Sequence, residues 1–449
     1  MRPPLSRAPI PRAPGVEARL VRVGLAGRFF DELLSGLPSV LMPTIRATLG
    51  LSLTQVGLLE QALYYVAAVV EPGFALLIDI GRRPWLMAFG AAGIGLAVIT
   101  MGLAGGLGML LAGYALYGLC SGPLTHTADV VLVEAHPEAP DRIFARATAI
   151  DTLGALLAPL SVALVFWLGW SWRGLMVGAG ALGLLYALAI LGTRFPAPRP
   201  VDAPAATLDR DPSPDRDAEP KHAASAGPSD PARGRRRGRL RATLATFRAN
   251  LGSVLSDPAA RRWLVFLFLL ELIEAPGRFQ AVWLSEAAGM GQGLVGAYRV
   301  VEMLATFLAL IALDRGLGGA DRLTLLRRAS WLLLLLYPAW LLTPGLAARF
   351  LLGAPLAFLM ALYWPIGRAQ AIASVPGRAG ALTALTALYS LLPSSLGLGW
   401  LGDRIGLTPS LLGVYGLSML GMLLALAWMG RTGGDGHPAQ PVDLAAPGA

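Results

Sequence analysis

Five charged residues stand in otherwise apolar stretches of the second half of the chain. Glu271, Glu274 and Arg278 follow at positions i, i+3 and i+7, so they share one face of a helix. Arg299 and Glu302 are three residues apart and share a face as well. Three acids against two bases leave one carboxylate without an obvious partner. Such a group favours binding a proton or a cation, and Glu274 and Glu302 are our candidates for it; a purely structural ion network is the alternative.

The first half of the chain carries a second group of charged residues in or beside apolar stretches. Asp31 lies inside the first of these stretches, where a desolvated carboxylate could carry protons. Alternatively, Asp31 and its neighbours pair with arginines in a gate at one end of a pathway. The residues that we assign to a gate are Glu71, Asp79, Gly81, Arg82, Arg83, Asp129, Arg146 and Asp151 of the first half, with Asp314 and Arg315 of the second.

Two aromatic residues, Tyr363 and Trp364, precede Pro365 inside another apolar stretch. Proline interrupts the hydrogen bonds of a helix, so a helix break is expected near this position. At a break the two rings could stack on a ligand, while ordinary packing is an equally open explanation. We include both residues among the candidate binding groups.

The elements that must position these groups are membrane-spanning helices. The chain is 55% apolar and 14% charged, with a mean hydropathy of +0.59, whereas soluble domains carry about 25% charged residues. It has no glycine-rich phosphate loop with a lysine and no His/Cys metal spacing, so we predict neither a cofactor nor a metal site. The sequence therefore predicts a polytopic all-α membrane protein rather than an enzyme.

Twelve apolar stretches are long enough to cross a bilayer, which needs roughly 20 helical residues. They cover approximately 23 to 44, 53 to 78, 84 to 104, 107 to 134, 144 to 168, 173 to 193, 262 to 284, 291 to 313, 325 to 343, 347 to 372, 378 to 400 and 408 to 430. Short connections between them predict antiparallel neighbours.

The spans divide the chain into two six-helix halves. We predict bundles over 23–193 and 262–430, joined by a disordered linker over 194–261 that is rich in Pro, Asp, Arg and Ser. Residues 1–22 and 431–449 form the two tails. Two repeats of six spans are typical of transporters whose substrate site lies near the midplane between the repeats.

Arginines set the predicted orientation. They concentrate at both ends of the chain, in the linker and in the connections on the same side. The other side has only Arg46, Arg173, Arg349 and Arg404. Positively charged loops stay in the cytoplasm, so we predict that both termini and the linker are cytoplasmic, in a bacterial inner membrane. The basic charge is explained by topology, and no nucleic-acid partner is predicted.

Short motifs give the chain a resemblance to a known family. Asp79, Gly81, Arg82 and Arg83 resemble the G-x-x-x-D-[RK]-x-G-[RK]-[RK] signature of the major facilitator superfamily, with one residue fewer between aspartate and glycine. The run GLGWLGDRIG at 397–406 is similar to a turn that this family often has after its eleventh span. The opening pattern of the chain resembles the fosmidomycin-resistance-like efflux branch.

The resemblance implies a secondary active transporter of a small molecule that works by alternating access in the lipid bilayer. We expect a monomer that moves its substrate outward in exchange for protons. A proton-coupled uptake symporter is the alternative within the family. From other classes, a non-transporting membrane sensor and a polytopic membrane enzyme stay open, although a sensor would normally carry an ordered soluble domain.

Overall fold

The fold of the computed structural model is helical throughout the part that it describes. The described residues are 14–79, 83–135, 140–193, 251–315, 321–375, 382, 385, 386 and 388–432. The helices are α1 (Pro14–Leu49), α2 (Leu53–Asp79), α3 (Arg83–Gly102), α4 (Leu107–Ala135), α5 (Pro140–Trp167), α6 (Trp172–Leu191), α7 (Pro258–Arg278), α8 (Gln280–Glu286), α9 (Gln292–Arg315), α10 (Arg322–Leu342), α11 (Leu346–Met360), α12 (Tyr363–Ala373), α13 (Ser394–Ile405) and α14 (Leu407–Thr432). A short 3₁₀ helix covers Leu388–Leu391.

Two helices begin earlier than the predicted domain boundaries. Helix α1 already includes Pro14, inside the predicted tail. Helix α7 starts at Pro258, inside the predicted linker, because Asp257 caps it and proline suits the first turn of a helix. Residues 251–256 of the predicted linker are helical as well, while 194–250 lies outside the described residues, as does 433–449.

Nine helical stretches of the described chain are long and apolar enough to cross a membrane. They correspond to nine of the twelve predicted spans, and the all-α membrane fold is confirmed. Helices α1 and α7 are not among these nine, because charged residues near their middle, such as Asp31 and Glu271, lower their mean hydropathy. The eleventh predicted span includes residues outside the description.

Two of the predicted spans are broken near their middle. The seventh consists of α7 and α8, which meet at Phe279 just after Pro276 and Gly277. The tenth consists of α11 and α12, with the break immediately before Tyr363, where the Pro365 motif predicted it. Broken helices free backbone and side-chain polar groups at membrane depth, and such breaks are tolerated where they line a cavity.

The two halves pack against each other mainly through two helix pairs, α2 with α13 and α5 with α9. Small residues allow the first pair to approach closely: a side chain at Gly57 would overlap the carbonyl of Ser395, and one at Gly399 would overlap the carbonyl of Leu53. Close backbone approach at glycines is a common way to associate helices in membranes. The central cavity lies between these two pairs.

Candidate functional site

The halves are tied together at the end of the bundle where α1 finishes and α2 starts, which we call the closed end. Arg46 in the last turn of α1 forms an ion pair with Glu286 at the end of α8. Gln292 at the start of α9 donates to the backbone carbonyl of Val40 at 2.6 Å and accepts from the Thr44 hydroxyl at 3.0 Å. These contacts join the two halves on this side of the cavity.

A third tie at the closed end uses the GLGWLGDRIG turn. The carboxylate of Asp403 accepts hydrogen bonds from the backbone amides of Leu53 and Thr54, both at 2.8 Å, and from the Thr54 hydroxyl at 2.5 Å. Burial would raise the pKa of Asp403, but the bonds from Thr54 and Leu53 hold it below its ordinary value. A carboxylate of α13 therefore caps the N-terminus of α2 in the other half.

The opposite end, where α1 begins and α14 finishes, is the open end. The predicted gate residues that are described there pair inside the first half: Arg28 contacts Asp151 at 2.5 Å and Asp129 at 3.6 Å. Glu71 lies 3.9 Å from His126, and both side chains are about half exposed. Each of these pairs lies within the first half.

The other predicted gate residues are scattered or lie outside the description. Arg83 is buried, whereas Arg146 and Arg315 are exposed. Gly81 and Arg82 are outside the described residues, as are the side chains of Asp79 and Asp314. The side-chain contacts named so far that join the two halves lie instead at the closed end.

A central cavity extends between the halves and has two lobes. The first lobe, of about 550 Å³, contacts mainly the first half, and the second, of about 590 Å³, contacts mainly the second half. The residues that line both lobes, and so mark their boundary, are Ser39, Tyr64, Arg278, Arg299 and Met303. The guanidinium of Arg278 lies 4.9 Å from the centre of the Tyr64 ring, which is a contact between the two halves.

The charged cluster of the second half forms a network of ion pairs and hydrogen bonds. Arg278 pairs with Glu271 and donates to the hydroxyls of Ser394 and Ser395 at 3.2 and 2.8 Å. Arg299 pairs with Glu302 at 2.8 Å. The acid left without an arginine is Glu274, which faces the indole of Trp364 in the second lobe.

Glu302 is better satisfied than the sequence suggested. Its carboxylate also accepts a 2.5 Å hydrogen bond from the side-chain amide of Gln280, and the amide oxygen of Gln280 in turn accepts one from Arg299. The side chain of Glu302 is buried. The helix break after Arg278 places Gln280 here, and a count of charges alone could not include a neutral amide.

The first lobe holds three carboxylates of the first half. Asp31 accepts hydrogen bonds from the hydroxyls of Tyr117 and Ser121, each at 3.0 Å. Glu32 and Glu60 line the same lobe. No described arginine forms an ion pair with any of these three carboxylates. Their side chains do not converge on one point, and among the described residues no group of three or more His, Cys, Asp or Glu could hold a metal ion.

The two aromatic residues that we proposed as ligand contacts lie in different surroundings. Trp364 lines the second lobe. Tyr363 is fully buried, stacks on Phe266 and shares a 2.7 Å hydrogen bond with the Ser330 hydroxyl, so it packs inside the second half and does not line the cavity. We therefore correct the expectation that both rings could meet a ligand.

Sequence reasoning did not assign several residues that the structure brings to the cavity. Glu60 and Tyr64 stand at i and i+4 on α2, and Tyr114, Tyr117 and Ser121 follow at i, i+3 and i+7 on α4. This polar spacing on one face of an apolar helix is a signal that could have identified them.

Known proteins support this architecture. The model of the Major Facilitator Superfamily matches residues 24–398. A bacterial homolog of the human lysosomal transporter Spinster, solved in an inward-facing, unoccupied conformation, superposes with a TM-score of 0.66 at 16% identity, over 94% of this chain and 96% of its own. No curated protein has a significantly similar sequence.

Two further solved transporters are similar in fold. The nucleoside transporter NupG has a TM-score of 0.66 at 11% identity, over 92% of this chain and 98% of its own. A variant of the peptide transporter POT has a TM-score of 0.63 at 14% identity, over 93% and 98%. At these identities the likeness concerns the fold alone.

Proposed function

Because this chain belongs to the major facilitator superfamily and is a secondary transporter rather than an enzyme, we propose that it exports a small molecule in exchange for protons. The observation that carries the proposal is the set of cavity carboxylates without an arginine partner: Asp31, Glu32, Glu60 and Glu274. Such groups are costly to leave ionised at membrane depth, so each favours a proton or a cationic ligand.

We assign proton coupling to Asp31 and Glu274. Asp31 sits on α1, and two hydroxyls hold its carboxylate in place without neutralising it. Glu274 lies in α7 shortly before the break at Phe279, so a change in its charge can act on both α7 and α8. Glu302 is the weaker candidate in the second half because Arg299 and Gln280 already satisfy it.

Exchange follows if a proton and the substrate use the same acids in turn. A ligand can only shift an equilibrium between conformations by binding them differently, so two ligands that exclude each other at one site give antiport. An uptake symporter would instead need both ligands bound together. Export is therefore the direction we propose, with uptake as the second candidate.

We further propose that the open end faces the cytoplasm of a bacterial inner membrane and that a monomer is the working unit. Arg28, Arg146 and Arg315 all lie toward the open end, as the positive-inside rule requires of a cytoplasmic side. The conformation described is then inward-facing. The predicted gate residues would come together when this end closes.

The test is flux into and out of proteoliposomes across a panel of compounds, with a pH gradient imposed in either direction. We expect accumulation of at least one compound against its gradient, driven by opposed proton flow. Asp31→Asn and Glu274→Gln should abolish the gradient-driven accumulation but retain exchange between equal substrate concentrations. Asp257→Asn, which changes a helix cap outside the cavity, serves as the control.

Retention of full gradient-driven accumulation in both Asp31→Asn and Glu274→Gln would refute the assignment of coupling. Co-transport of protons with the substrate, in the same direction, would replace export by the uptake alternative.

A further inference from the structure

The lining of the cavity is acidic when the charges that already form ion pairs are set aside. Its described charged residues are Asp31, Glu32, Glu60, Glu274, Glu302, Arg278 and Arg299. Both arginines are already bound to carboxylates, Arg278 to Glu271 and Arg299 to Glu302. The acids that remain give the cavity a negative potential, which attracts cations and repels anions.

The boundary between the lobes already holds a cation on an aromatic ring. Tyr64 lines both lobes, and the guanidinium of Arg278 lies 4.9 Å from the centre of its ring. A planar cation over a tyrosine face is attracted by the electron density of the ring. Tyr64 also lies in the electrostatic field of Glu60 and Glu274, one from each lobe.

A buried tyrosine hydroxyl lies beside Glu60. Tyr114 is 2% exposed and lines the first lobe, and its hydroxyl faces the Glu60 carboxylate as a hydrogen-bond donor. A hydroxyl that donates to a carboxylate favours its charged form without supplying a countercharge. Glu60 is therefore held in the first lobe without an arginine ion pair among the described residues.

The wall of the second lobe suits an apolar or aromatic body. Trp364 and Leu356 line it, together with Tyr337 and Tyr415, whose rings stack at 3.7 Å. Met303 and Met360 complete the wall, and methionine adapts to ligands of varied shape. The volume of about 590 Å³ accommodates a body of several rings.

We infer that the substrate is an organic cation with an apolar or aromatic body, whose charge is held at the Tyr64 ring between Glu60 and Glu274. This inference rests on the proposed transport function and names the substrate class of the same cavity. The incoming cation competes with Arg278 for the ring of Tyr64. Because that contact joins the two halves, its replacement couples binding to the relative movement of the halves.

The probe is a pair of ions of equal shape and opposite charge, tetraphenylphosphonium and tetraphenylborate. Equilibrium binding to the purified full chain in detergent, measured by calorimetry, should detect the phosphonium and at least tenfold weaker binding of the borate. Glu60→Gln and Glu274→Gln should each weaken phosphonium binding roughly tenfold, since each removes one countercharge from a partly buried site.

A matched pair of variants tests the ring. Tyr64→Phe keeps the aromatic face and should bind the phosphonium within about threefold of the original chain, whereas Tyr64→Leu should bind it roughly tenfold more weakly. Asp257→Asn changes a helix cap outside the cavity lining and should leave the affinity unchanged.

Equal affinity for the two ions, or unchanged phosphonium binding in both Glu60→Gln and Glu274→Gln, would overturn the inference. So would equal losses in Tyr64→Phe and Tyr64→Leu. Binding is measured without a proton gradient, so it is independent of coupling. If the chain binds the cation but transports it without protons, the antiport proposal is refuted and the substrate class is not. If protons drive the transport of uncharged compounds and of no cation, the substrate class is refuted and the antiport proposal is not.

Discussion

Replacing Asp403 by alanine should shift the equilibrium between inward-facing and outward-facing conformations. Its carboxylate holds the backbone amides of Leu53 and Thr54 and the Thr54 hydroxyl, all of them across the interface between the halves. These bonds exist only while the closed end is closed. The free energy of these bonds therefore stabilises the inward-facing conformation relative to the outward-facing one.

The magnitude follows from the chemistry of a helix cap. Removing an acidic or polar cap costs about 0.5–2 kcal/mol, part of it from the charge at the positive end of the helix. Asp403 is exposed, so solvent screens it and we take roughly 1 kcal/mol. The ratio of outward-facing to inward-facing molecules should then rise about fivefold.

The assay is a distance measurement between spin labels at the closed end of the two halves. Labels at Leu103 and Ala347 suit it, because both side chains are exposed and lie in different halves. The native Cys120 is buried and is replaced by alanine. In Asp403→Ala we expect the population with a long distance between the labels to grow about fivefold.

Asp321→Ala is the matched control. Asp321 caps α10 by accepting from the backbone amide of Thr324 at 2.9 Å and from the Thr324 hydroxyl, but both partners belong to the same half. Losing this cap should affect stability and leave the distance populations alone. The reasoning is refuted if Asp403→Ala leaves the populations unchanged or if Asp321→Ala shifts them equally.

Three further predictions can be checked with similar means. The pKa of Asp403 is held below its ordinary value of about 4, so its stabilisation of the closed end is complete above that value and is lost only as the pH falls through the lowered pKa. Asp403→Ala should therefore change the distance populations equally at pH 6 and pH 8. Gly399→Val should open the closed end, because a side chain there overlaps the carbonyl of Leu53; distances between the same labels test this, and Gly397→Val, at a position with open space, is the control. A cysteine at Ser225 should resist impermeant thiol reagents in intact cells and react after permeabilisation, and labelling from outside would contradict the predicted cytoplasmic linker.

Local spacing was sufficient to predict which charged residues share a face of one helix. Glu271 and Arg278 were expected on one face from their separation of seven residues, and they form an ion pair. Arg299 and Glu302, three residues apart, pair as well. In an α-helix such separations return to the same side, so no knowledge of the tertiary fold is needed.

Contacts between the halves could not be predicted in the same way. Arg278 meets Tyr64, and Asp403 meets Leu53, at sequence separations that only the assembled bundle brings together. The aromatic pair fails for a related reason. Neighbours in a helix point about 100° apart, so the rotation of α12 decides that Trp364, and not Tyr363, faces the cavity.

The ties between the halves differ in what can break them. At the closed end, Asp403 and the Arg46–Glu286 pair bind parts of the protein itself, and neither Asp403 nor Glu286 lines the cavity. At the centre, the Arg278–Tyr64 contact lies on the cavity wall, where a ligand can reach it. A substrate can therefore act directly on the central tie, and it cannot contact Asp403 or Glu286 from the cavity. Its effect on the closed end is limited to the difference between its affinities for the two conformations, so substitutions at the closed end should change how often the cavity opens outward without changing what it binds.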